Sequence, residues 1–472
     1  ILLLSFSIIV AEPDIQGKSP EFNQQEELED AFEIDLVKGV NLALTAKKRL
    51  GQAFGNLQKS EIATTLAANE FALKLTPKGD AGFIGGGKAG GGSTIAAGVE
   101  LSKKFTHGTR IAFYPSIAKI AKDYLQNLKA SITQPLLRGF GKEYTLSALY
   151  GAQFSDRSAR RSLYLAQVRV MLQAIQSMLE VSKQKTLVGF DRETYERLKK
   201  FCVSTEMKEK IGLCDSLDVY RAKTELKRAE DALNTSLERF GDAKDTLREA
   251  LALPLDLPIE VQVPIEYNPV DITMEEAITV ALSNRIELDQ VEDQLIETRR
   301  LQRIAKKNLW PELNLVIDYT NYGRDEVFSN SWTHKRESKW GFGFTTNANV
   351  ERFSETAAFE QSVIAVDDAG INVAQTRDNI VLDVKRTLRT LTRAVEKIAV
   401  QESQIINARN EYHLARLKFE HGLANNFDLI QAEKNLISAQ TALIGAIIEH
   451  RVNEFKLLAS LGTLVDKPES CR

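Results

Sequence analysis

A glycine-rich tract has the spacing of a nucleotide-phosphate site but lacks the residues that would complete one. GFIGGGKA (Gly82–Ala89) fits the G-x(4)-G-K pattern of a P-loop. Ala89 stands where a P-loop needs Ser or Thr to hold magnesium, and more glycines follow where a helix N-terminus should bind the phosphate. The tract therefore does not predict nucleotide binding.

The residue types that ligate metals or form disulfides are few in this chain. Five histidines and three cysteines are scattered over 472 residues. His413 and His421 lie near one helical face without a third ligand, and Cys202 and Cys214 are too far apart along helices for an unstrained disulfide. We predict no enzyme activity, no metal site and no cofactor.

Charge and hydropathy exclude two further classes of protein. With 61 basic and 64 acidic side chains and a net charge of −3, the chain has no basic excess for binding nucleic acid. The mean hydropathy is −0.23, and no apolar run reaches the roughly 18 residues of a transmembrane helix.

The chain begins with an apolar segment, ILLLSFSIIVAE, that is too short to span a bilayer. It predicts that residues 1–11 are the remnant of a secretory signal peptide, followed by a tail over 12–34. A buried N-terminal segment is the alternative. We therefore expect an exported protein.

Proline placement predicts very long helices, because proline inside a helix costs about 3 kcal/mol. The 11 prolines leave two gaps, Leu136–Leu253 and Glu312–Lys467. Within the second gap an apolar residue recurs every seven positions, which keeps one helix face against its partners. This stripe predicts a helix over 354–421, about 100 Å long at about 1.5 Å per residue. Its members are Val384, Leu391, Ile398, Ile405, Tyr412 and Phe419, with Val381, Leu388 and Val395 on the neighbouring seam.

The sequence contains an internal duplication. Shifted by 210 residues, the stretch beginning at Ile211 aligns with the stretch beginning at His421, with ten identities in forty positions and no gap. Both halves share one plan: a medium helix, a strand insert, a very long helix, a tight turn and a medium helix. The predicted first repeat is 35–255, with a strand insert over 71–135 and helices over 142–211 and 214–252. A linker over 256–270 leads to the second repeat, 271–463. The second repeat has helices over 271–309, 354–421 and 423–462 and a strand insert over 312–352, and a tail over 464–472 follows it.

A Gly-Leu pair ends each long helix, at Gly212–Leu213 and at Gly422–Leu423. Glycine commonly ends a helix because it adopts the left-handed conformation without strain. We therefore expect each long helix to reverse into an antiparallel partner. The expected caps of the partner helices are Asp215–Ser216 and Asn425–Asn426.

The strand inserts alternate between apolar residues and small polar ones. This period-two pattern is typical of a barrel strand between lipid and a wet lumen, and a half-buried strand in a soluble sheet is the alternative. The first repeat offers Leu128, Ala130 and Ile132, and a less regular Phe71, Leu73 and Leu75. The predicted lipid-facing residues are Leu313, Leu315, Ile317, Tyr319, Trp340, Phe342 and Phe344.

A membrane sheet of this size needs several copies of the chain. Lipid tolerates only helices and closed barrels, because every backbone polar group there must be paired. About two principal strands per repeat give about four per chain, fewer than a single-chain barrel needs. The barrel must therefore close with copies of the same chain, for which cyclic symmetry is the ordinary solution.

These motifs together resemble the TolC-like outer-membrane factor family, the exit ducts of bacterial efflux pumps and type I secretion systems. The resemblance covers roughly residues 35–463. It rests on the twin G-L-x(4)-D turns, the A-x(3)-L-x(2)-A helices behind them, ALSNRIEL (Ala281–Leu288) and QPLLRGFG (Gln134–Gly141). The second repeat departs from the pattern, with VERFSETAAF in place of QPLLRGFG.

The resemblance implies a mainly α protein with membrane β structure. The expected assembly is a homotrimer in which long antiparallel hairpins form a periplasmic α-barrel and three chains share a twelve-stranded β-barrel in outer-membrane lipid. It also implies that the hairpin tips, at Gly212, Leu213, Gly422 and Leu423, dock a periplasmic adaptor (membrane fusion protein) linked to an inner-membrane transporter. Such a duct passes substrates to the exterior without covalent chemistry.

Two acids, Asp218 and Asp428, follow the turns at matching positions. One interpretation is structural, since a carboxylate in the first turn stabilises a helix by about 0.3–1 kcal/mol. The other comes from the resemblance, which implies an acidic ring that constricts the duct entrance. Gln431 stands where some family channels have a second acid, so we expect a single-acid ring.

Two other functions are open on the sequence. A periplasmic coiled-coil adaptor would also have a long helical hairpin, but the duplication and QPLLRGFG argue against it. A soluble scaffold would explain the heptads but leaves the alternation over 340–350 unexplained.

Overall fold

The computed structural model describes residues 32–84, 92–120, 122–212, 214–264, 272–333, 336–347, 351–421, 423–424 and 426–468. The predicted signal segment 1–11, most of the glycine-rich tract, Leu213, Gly422 and Asn425 lie outside these ranges. Over the described residues the chain has ten helices and eight strands, so it is mainly α with one large sheet.

The first half of the chain contains five helices and six strands. They are β1 (Phe32–Ile34), α1 (Leu36–Thr45), α2 (Lys47–Asn69), β2 (Lys74–Ile84), β3 (Gly92–Lys104), β4 (Arg110–Ile120), β5 (Asp123–Pro135), α3 (Lys142–Thr145), α4 (Ser147–Lys210), α5 (Ser216–Leu251) and β6 (Ile259–Val261).

The second half repeats the helical part of this order. Its elements are α6 (Met274–Asn284), α7 (Ile286–Asn308), β7 (Glu312–Asp325), α8 (Phe328–Thr333), β8 (Glu337–Asn347), α9 (Phe353–Glu420) and α10 (Asn426–Leu461). α2 and α7 have 23 residues each, α5 and α10 have 36 each, and α4 and α9 have 64 and 68. Such matched lengths are what an internal duplication produces. In the described part of the chain, no helix combines the length and the apolar character needed to cross a membrane.

Three predicted helices are each divided in the structure. Arg285, with extended backbone (φ −69°, ψ 118°), separates α6 from α7 inside the helix predicted over 271–309. The break lets the Arg285 guanidinium reach Asp383 of α9, with 2.6 Å between Nη1 and Oδ2. Ala46 separates α1 from α2 in the same way. The helix predicted over 142–211 likewise begins as the short α3 and restarts as α4 after Leu146.

The chain packs as two compact units that cut across the sequence repeats. The first comprises the described residues within 1–54, 161–286 and 377–472, and the second comprises those within 55–160 and 287–376. The long helices α4 and α9 each contribute residues to both units. For this reason neither unit coincides with a repeat.

The first unit has a hydrophobic core where α1 and α5 pack on the middle of α4. Ile175, Met178 and Leu179 of α4 are fully buried there, together with Leu247 of α5. Burial stabilises each of these side chains by roughly 1.5–3 kcal/mol. A Cβ at Gly39 of α1 would lie 2.3 Å from Met178 Sδ, so a larger residue there would force the buried Met178 side chain to shift.

The second unit contains a six-stranded sheet in the order β2-β3-β4-β5-β7-β8, with every neighbouring pair antiparallel. The expectation of about four strands per chain is therefore wrong, because the first insert forms four strands rather than two. The small residues Gly79, Ala81 and Ala97 occupy positions where a large apolar residue would have revealed the alternation. Phe71 and Leu73 precede β2 and belong to no strand.

Candidate functional site

The register of the six strands aligns apolar residues into one face. Leu101 of β3 is opposite Phe113 of β4, Phe113 is opposite Ala130 of β5, and Ala130 is opposite Tyr319 of β7. Because side chains alternate along a strand, every second residue joins this apolar face. Its main members are Leu75, Pro77, Ala81, Phe83, Ile95, Ala97, Val99, Leu101, Ile111, Phe113, Ile117, Leu128, Ala130, Ile132, Leu313, Leu315, Ile317, Tyr319, Trp340, Phe342 and Phe344.

Much of the apolar face is uncovered in the single chain. Trp340, Phe342 and Phe344 of β8 are 77%, 70% and 64% exposed, and Leu75 and Phe83 of β2 are also exposed. A contiguous apolar patch of this kind marks a surface for lipid or for another protein. All seven residues predicted from sequence to face lipid lie on this face, and their contact with lipid stays a prediction.

The opposite, polar face of the sheet carries small and charged side chains. Glu100 of β3 accepts hydrogen bonds from Lys78 of β2 and from Arg110 Nη2 of β4, the latter at 3.2 Å. Lys129 of β5 and Asp318 of β7 occupy the same face. A sheet that is apolar on one side and polar on the other can form a wall between lipid and water.

The short helix α8 covers part of the apolar face where β7 ends. Gln126 Nε2 donates a hydrogen bond to Ser331 Oγ at 2.9 Å, and both side chains are buried. Tyr124 meets Phe328 edge-on, with 5.7 Å between ring centroids. A Cβ at Gly323 would lie 2.2 Å from the Ser331 carbonyl oxygen, so glycine is required for α8 to approach the sheet. Six residues are too few for a periodicity that would have predicted this helix.

The first helix tip (211–220) is the turn between α4 and α5. Gly212 has the predicted left-handed conformation (φ 73°), and its N–H donates to the Glu209 carbonyl at 2.9 Å. Asp215 is the N-cap of α5, but its side chain makes no capping hydrogen bond, so the predicted side-chain cap is wrong. Its carbonyl instead accepts from the Asp218 N–H at 2.9 Å, and the Asp218 carboxylate lies 3.7 Å from Arg221.

The second helix tip (421–430) joins α9 to α10. The Leu423 N–H donates to the Lys418 carbonyl at 2.7 Å, and the Leu423 side chain is 78% exposed. Asp428 is exposed in the first turn of α10. Gln431 is exposed on the next turn, where its Nε2 donates to Asn435 Oδ1 at 3.1 Å.

Both tips present exposed apolar side chains beside the turn. Ile211, Leu217 and Tyr220 are exposed at the first tip, and Leu423 and Phe427 are exposed at the second. Helix ends in water are ordinarily polar, so this arrangement suits a surface that another protein covers.

The two helical hairpins contact each other close to their tips. The rings of Phe201 in α4 and Phe419 in α9 have centroids 5.3 Å apart, and Lys208 Nζ lies 4.0 Å from the Phe419 centroid. Lys434 of α10 pairs with Glu225 of α5 at 3.0 Å. Contacts of this kind hold the four helix ends as one group.

An ion pair between half-buried Arg197 and buried Glu433 joins α4 to α10. Arg197 Nε donates to Glu433 Oε1 at 2.9 Å, and Arg197 Nη2 donates to Thr194 Oγ1 at 3.0 Å. Glu433 is only 6% exposed. Burial raises the pKa of the Glu433 carboxyl, and the Arg197 guanidinium opposes that rise. Sequence reasoning missed this pair because a charged residue on a helix is ordinarily assigned to the solvated side.

The residues considered for metal or disulfide chemistry do not form a site. His413 and His421 are both exposed. Cys202 is buried in α4, and Cys214 Sγ donates to the Thr205 carbonyl at 3.3 Å. Among the residues that the structure describes, no group of three or more His, Cys, Asp or Glu side chains could hold a metal ion.

Long paired helices joined in sequence to an antiparallel sheet with one apolar face define the fold class of outer-membrane channels. Residues 277–463 match the family described as "Outer membrane efflux protein". The chain is 23% identical over 351 residues to the probable efflux pump outer membrane protein TtgC of Pseudomonas putida, covering 73% of this chain and 70% of that protein.

Two solved structures share the fold at low sequence identity. The Campylobacter jejuni CmeC outer membrane channel has a TM-score of 0.72 at 13% identity, covering 97% of this chain and 95% of CmeC. The Vibrio cholerae outer membrane protein VceC has a TM-score of 0.71 at 13% identity, covering 90% of this chain and 96% of VceC.

These comparisons confirm the resemblance to the outer-membrane factor family and the predicted fold class, mainly α with a β domain. The relatives are outer-membrane proteins, which confirms the predicted localisation. They are channel components rather than enzymes, as the sequence also predicted for this chain.

Proposed function

We propose that the chain forms a homotrimeric outer-membrane channel, the passive exit duct of a tripartite efflux pump or of a type I secretion system. The observation that carries this proposal is the six-stranded sheet, which is apolar on one face and polar on the other. In a closed barrel the apolar face contacts outer-membrane lipid and the polar face lines a water-filled lumen.

The helices support an assembly of several copies. The periplasmic part of the duct is formed by the hairpins α4–α5 and α9–α10. In the single chain α9 leaves apolar side chains exposed along much of its length, and neighbouring copies cover them. These side chains include Ile364, Ile371, Leu382, Val400 and Ile406.

The two helix tips are the proposed docking surface for a periplasmic adaptor that connects the duct to an inner-membrane transporter. The exposed side chains of Ile211, Leu423 and Phe427 support this assignment, because they are apolar and uncovered. A photo-crosslinking amino acid placed at Leu423 should capture the adaptor in cells, while one placed at exposed Asp242, far along α5 from the tip, should not. Capture of no adaptor from any position at either tip would contradict this docking surface.

The molar mass of the purified protein tests the proposed assembly. Light scattering in detergent should give about 158 kDa of protein, three copies of the 52.7 kDa chain. Removal of detergent should cause aggregation, because the apolar face then meets water. A monomer or dimer that stays dispersed without detergent would instead favour the soluble scaffold.

Asp428 and Asp218 are proposed to give the duct entrance its cation selectivity. Asp428→Ala should shift the reversal potential in a salt gradient toward that of an unselective pore, since the variant removes one acid per copy from the entrance. Asp242→Ala, which removes an exposed acid far along α5 from the tip, is the matched control and should leave the reversal potential unchanged. Equal reversal potentials in all three proteins would contradict the acidic entrance.

A further inference from the structure

The polar face of the sheet contains a cavity where the strands lead into the helices. It has a volume of about 500 Å³ and lies beside the ends of β2, β3, β4, β5 and β7 and the short helix α3. In the proposed channel this face lines the water-filled lumen, so dissolved molecules reach the cavity. The charged side chains of its lining are Lys74, Lys104, Arg110, Arg138, Glu70 and Glu312.

The loop over 136–141, between β5 and α3, holds Arg138 at this cavity. The Arg138 N–H donates to the Pro311 carbonyl at 3.4 Å, which ties the loop to the segment before β7. A Cβ at Gly108 would lie 2.7 Å from the Gly139 carbonyl oxygen, so glycine lets the turn between β3 and β4 pack on the loop. The QPLLRGFG motif therefore builds a fixed loop whose one charged side chain, Arg138, is half-buried in the cavity lining.

The sheet register places two of the cations directly opposite each other. Lys104 of β3 is opposite Arg110 of β4, an arrangement of like charges that destabilises strand pairing. Lys104 Nζ lies 2.6 Å from Glu70 Oε1, and Arg110 Nη2 lies 3.2 Å from Glu100 Oε1. Glu100 also accepts a hydrogen bond from Lys78, so one carboxylate serves two cations. The positive charge of this part of the sheet is therefore only partly neutralised.

Two further cations of the lining have no carboxylate of their own. Within the part of the chain that the structure describes, neither the Lys74 ammonium nor the Arg138 guanidinium forms an ion pair. Together with Lys78 and Glu100, the lining carries five cations and three carboxylates. A guanidinium is a planar fork of donors that matches a carboxylate or a phosphate, and an ammonium adds a compact positive charge. The cavity thus has the charge and the donors to hold an anion.

We propose that this cavity binds multivalent oxyanions, which are solutes with two or more phosphate or carboxylate groups. Arg138 and Lys74 bind the charged groups, and the hydroxyls of Ser102 and Thr133 in the same lining supply neutral donors. The inference rests on the proposed channel for the statement that the cavity faces the lumen, and it adds a class of solute that the duct holds on its way out. The site belongs to the second unit, whereas the acids of the helix tips belong to the first.

Isothermal titration calorimetry on the detergent-solubilised protein tests the site. The probes are inorganic pyrophosphate and citrate, titrated separately in buffer without divalent cations. We expect one site per chain, with an affinity that falls as the salt concentration rises. Binding of pyrophosphate alone would support the site and assign it to phosphates, and binding of citrate alone would support it and assign it to carboxylates.

Variants with matched controls locate the binding. Lys74→Gln and Arg138→Gln should each weaken binding by about tenfold or more, because each removes a hydrogen bond from a charged donor. Lys103→Gln is the first control, since its side chain leaves β3 on the opposite, apolar face. Lys129→Gln is the second control, because Lys129 lies on the polar face but about 13 Å along β5 from Thr133. Both controls should bind like the parent protein.

Two results would overturn the site. One is that folded protein binds neither probe. The other is that Lys129→Gln weakens binding as much as Lys74→Gln, which would show a general positive field of the polar face. If Arg138→Gln fails to fold, Lys74→Gln decides, since Lys74 is exposed. Protein that conducts ions across a bilayer but binds neither probe would lose this site and keep the proposed channel, whereas protein that binds both probes but never conducts would lose the channel and keep the site.

Discussion

At the scale of single residues, the turn glycine was predictable and the buried charge was not. Glycine has a strong conformational signature, and Gly212 adopts the left-handed backbone expected from its place after a long helix. Glu433 has no such signature, because its burial follows from which helices surround α10. The predicted side-chain cap at Asp215 was wrong for a similar reason. The residue type allows a capping hydrogen bond, but the rotamer that the side chain adopts decides whether the bond forms.

Replacing Gly212 tests the turn against a matched helical glycine. Gly212→Ala should destabilise the protein, because a left-handed alanine costs about 1–2 kcal/mol and no neighbouring atom adds to that cost. Gly241→Ala, in the interior of α5 and also free of neighbouring atoms, should stabilise it by about 0.5–1 kcal/mol. Thermal unfolding in detergent should thus shift in opposite directions, and a shift of the same sign in both variants would contradict this account.

The buried Glu433 should make stability depend on pH. Because its pKa is raised in the folded protein, the folded state binds more protons than the unfolded state between the ordinary carboxyl pKa and the raised one. Its contribution to stability is therefore fully present below the ordinary pKa and is lost as pH rises through the raised value. Glu433→Gln should remove this dependence. The unfolding temperature of the variant minus that of the parent protein should therefore increase as pH is raised from acidic to neutral. A constant difference across that range would contradict the assignment.

At the scale of elements, the main heptad stripe on α9 was predictable, but the second row of buried residues beside it lies one residue earlier than predicted. Val384, Leu391 and Ile398 are buried as predicted. The companions Val381, Leu388 and Val395 are only half-buried, whereas Ile380, Ala394 and Ala408 are buried one residue earlier in the heptad. Small alanines let helices approach closely, and a search for large apolar residues overlooks them.

The two faces of the sheet give a test on one strand. Phe342→Lys places a charge on the apolar face, which should cost about 2–4 kcal/mol near the middle of the bilayer and prevent assembly in the outer membrane. Thr345→Lys, three residues away on the polar face, should be tolerated because it points into water. Membrane fractionation followed by heat-modifiability on gels measures both. Equal loss of assembly in the two variants would show that the faces are not lipid and lumen.

At the scale of the whole molecule, the sequence predicted that one chain could not close a barrel, but it did not yield the number of strands. Alternation was visible where aromatic residues mark one face, as in β7 and β8. It was obscured in β2 and β3, where Gly79, Ala81 and Ala97 share that face with larger residues.

The most direct test of the central claim is electrical recording across a planar lipid bilayer after addition of the purified protein in detergent. A channel built from copies of this chain should produce discrete conductance steps of uniform size, and Thr345→Lys should retain them while Phe342→Lys produces none. Folded protein that yields no steps at any voltage or salt concentration, or steps that are indifferent to Phe342→Lys, would contradict a membrane channel formed by this sheet.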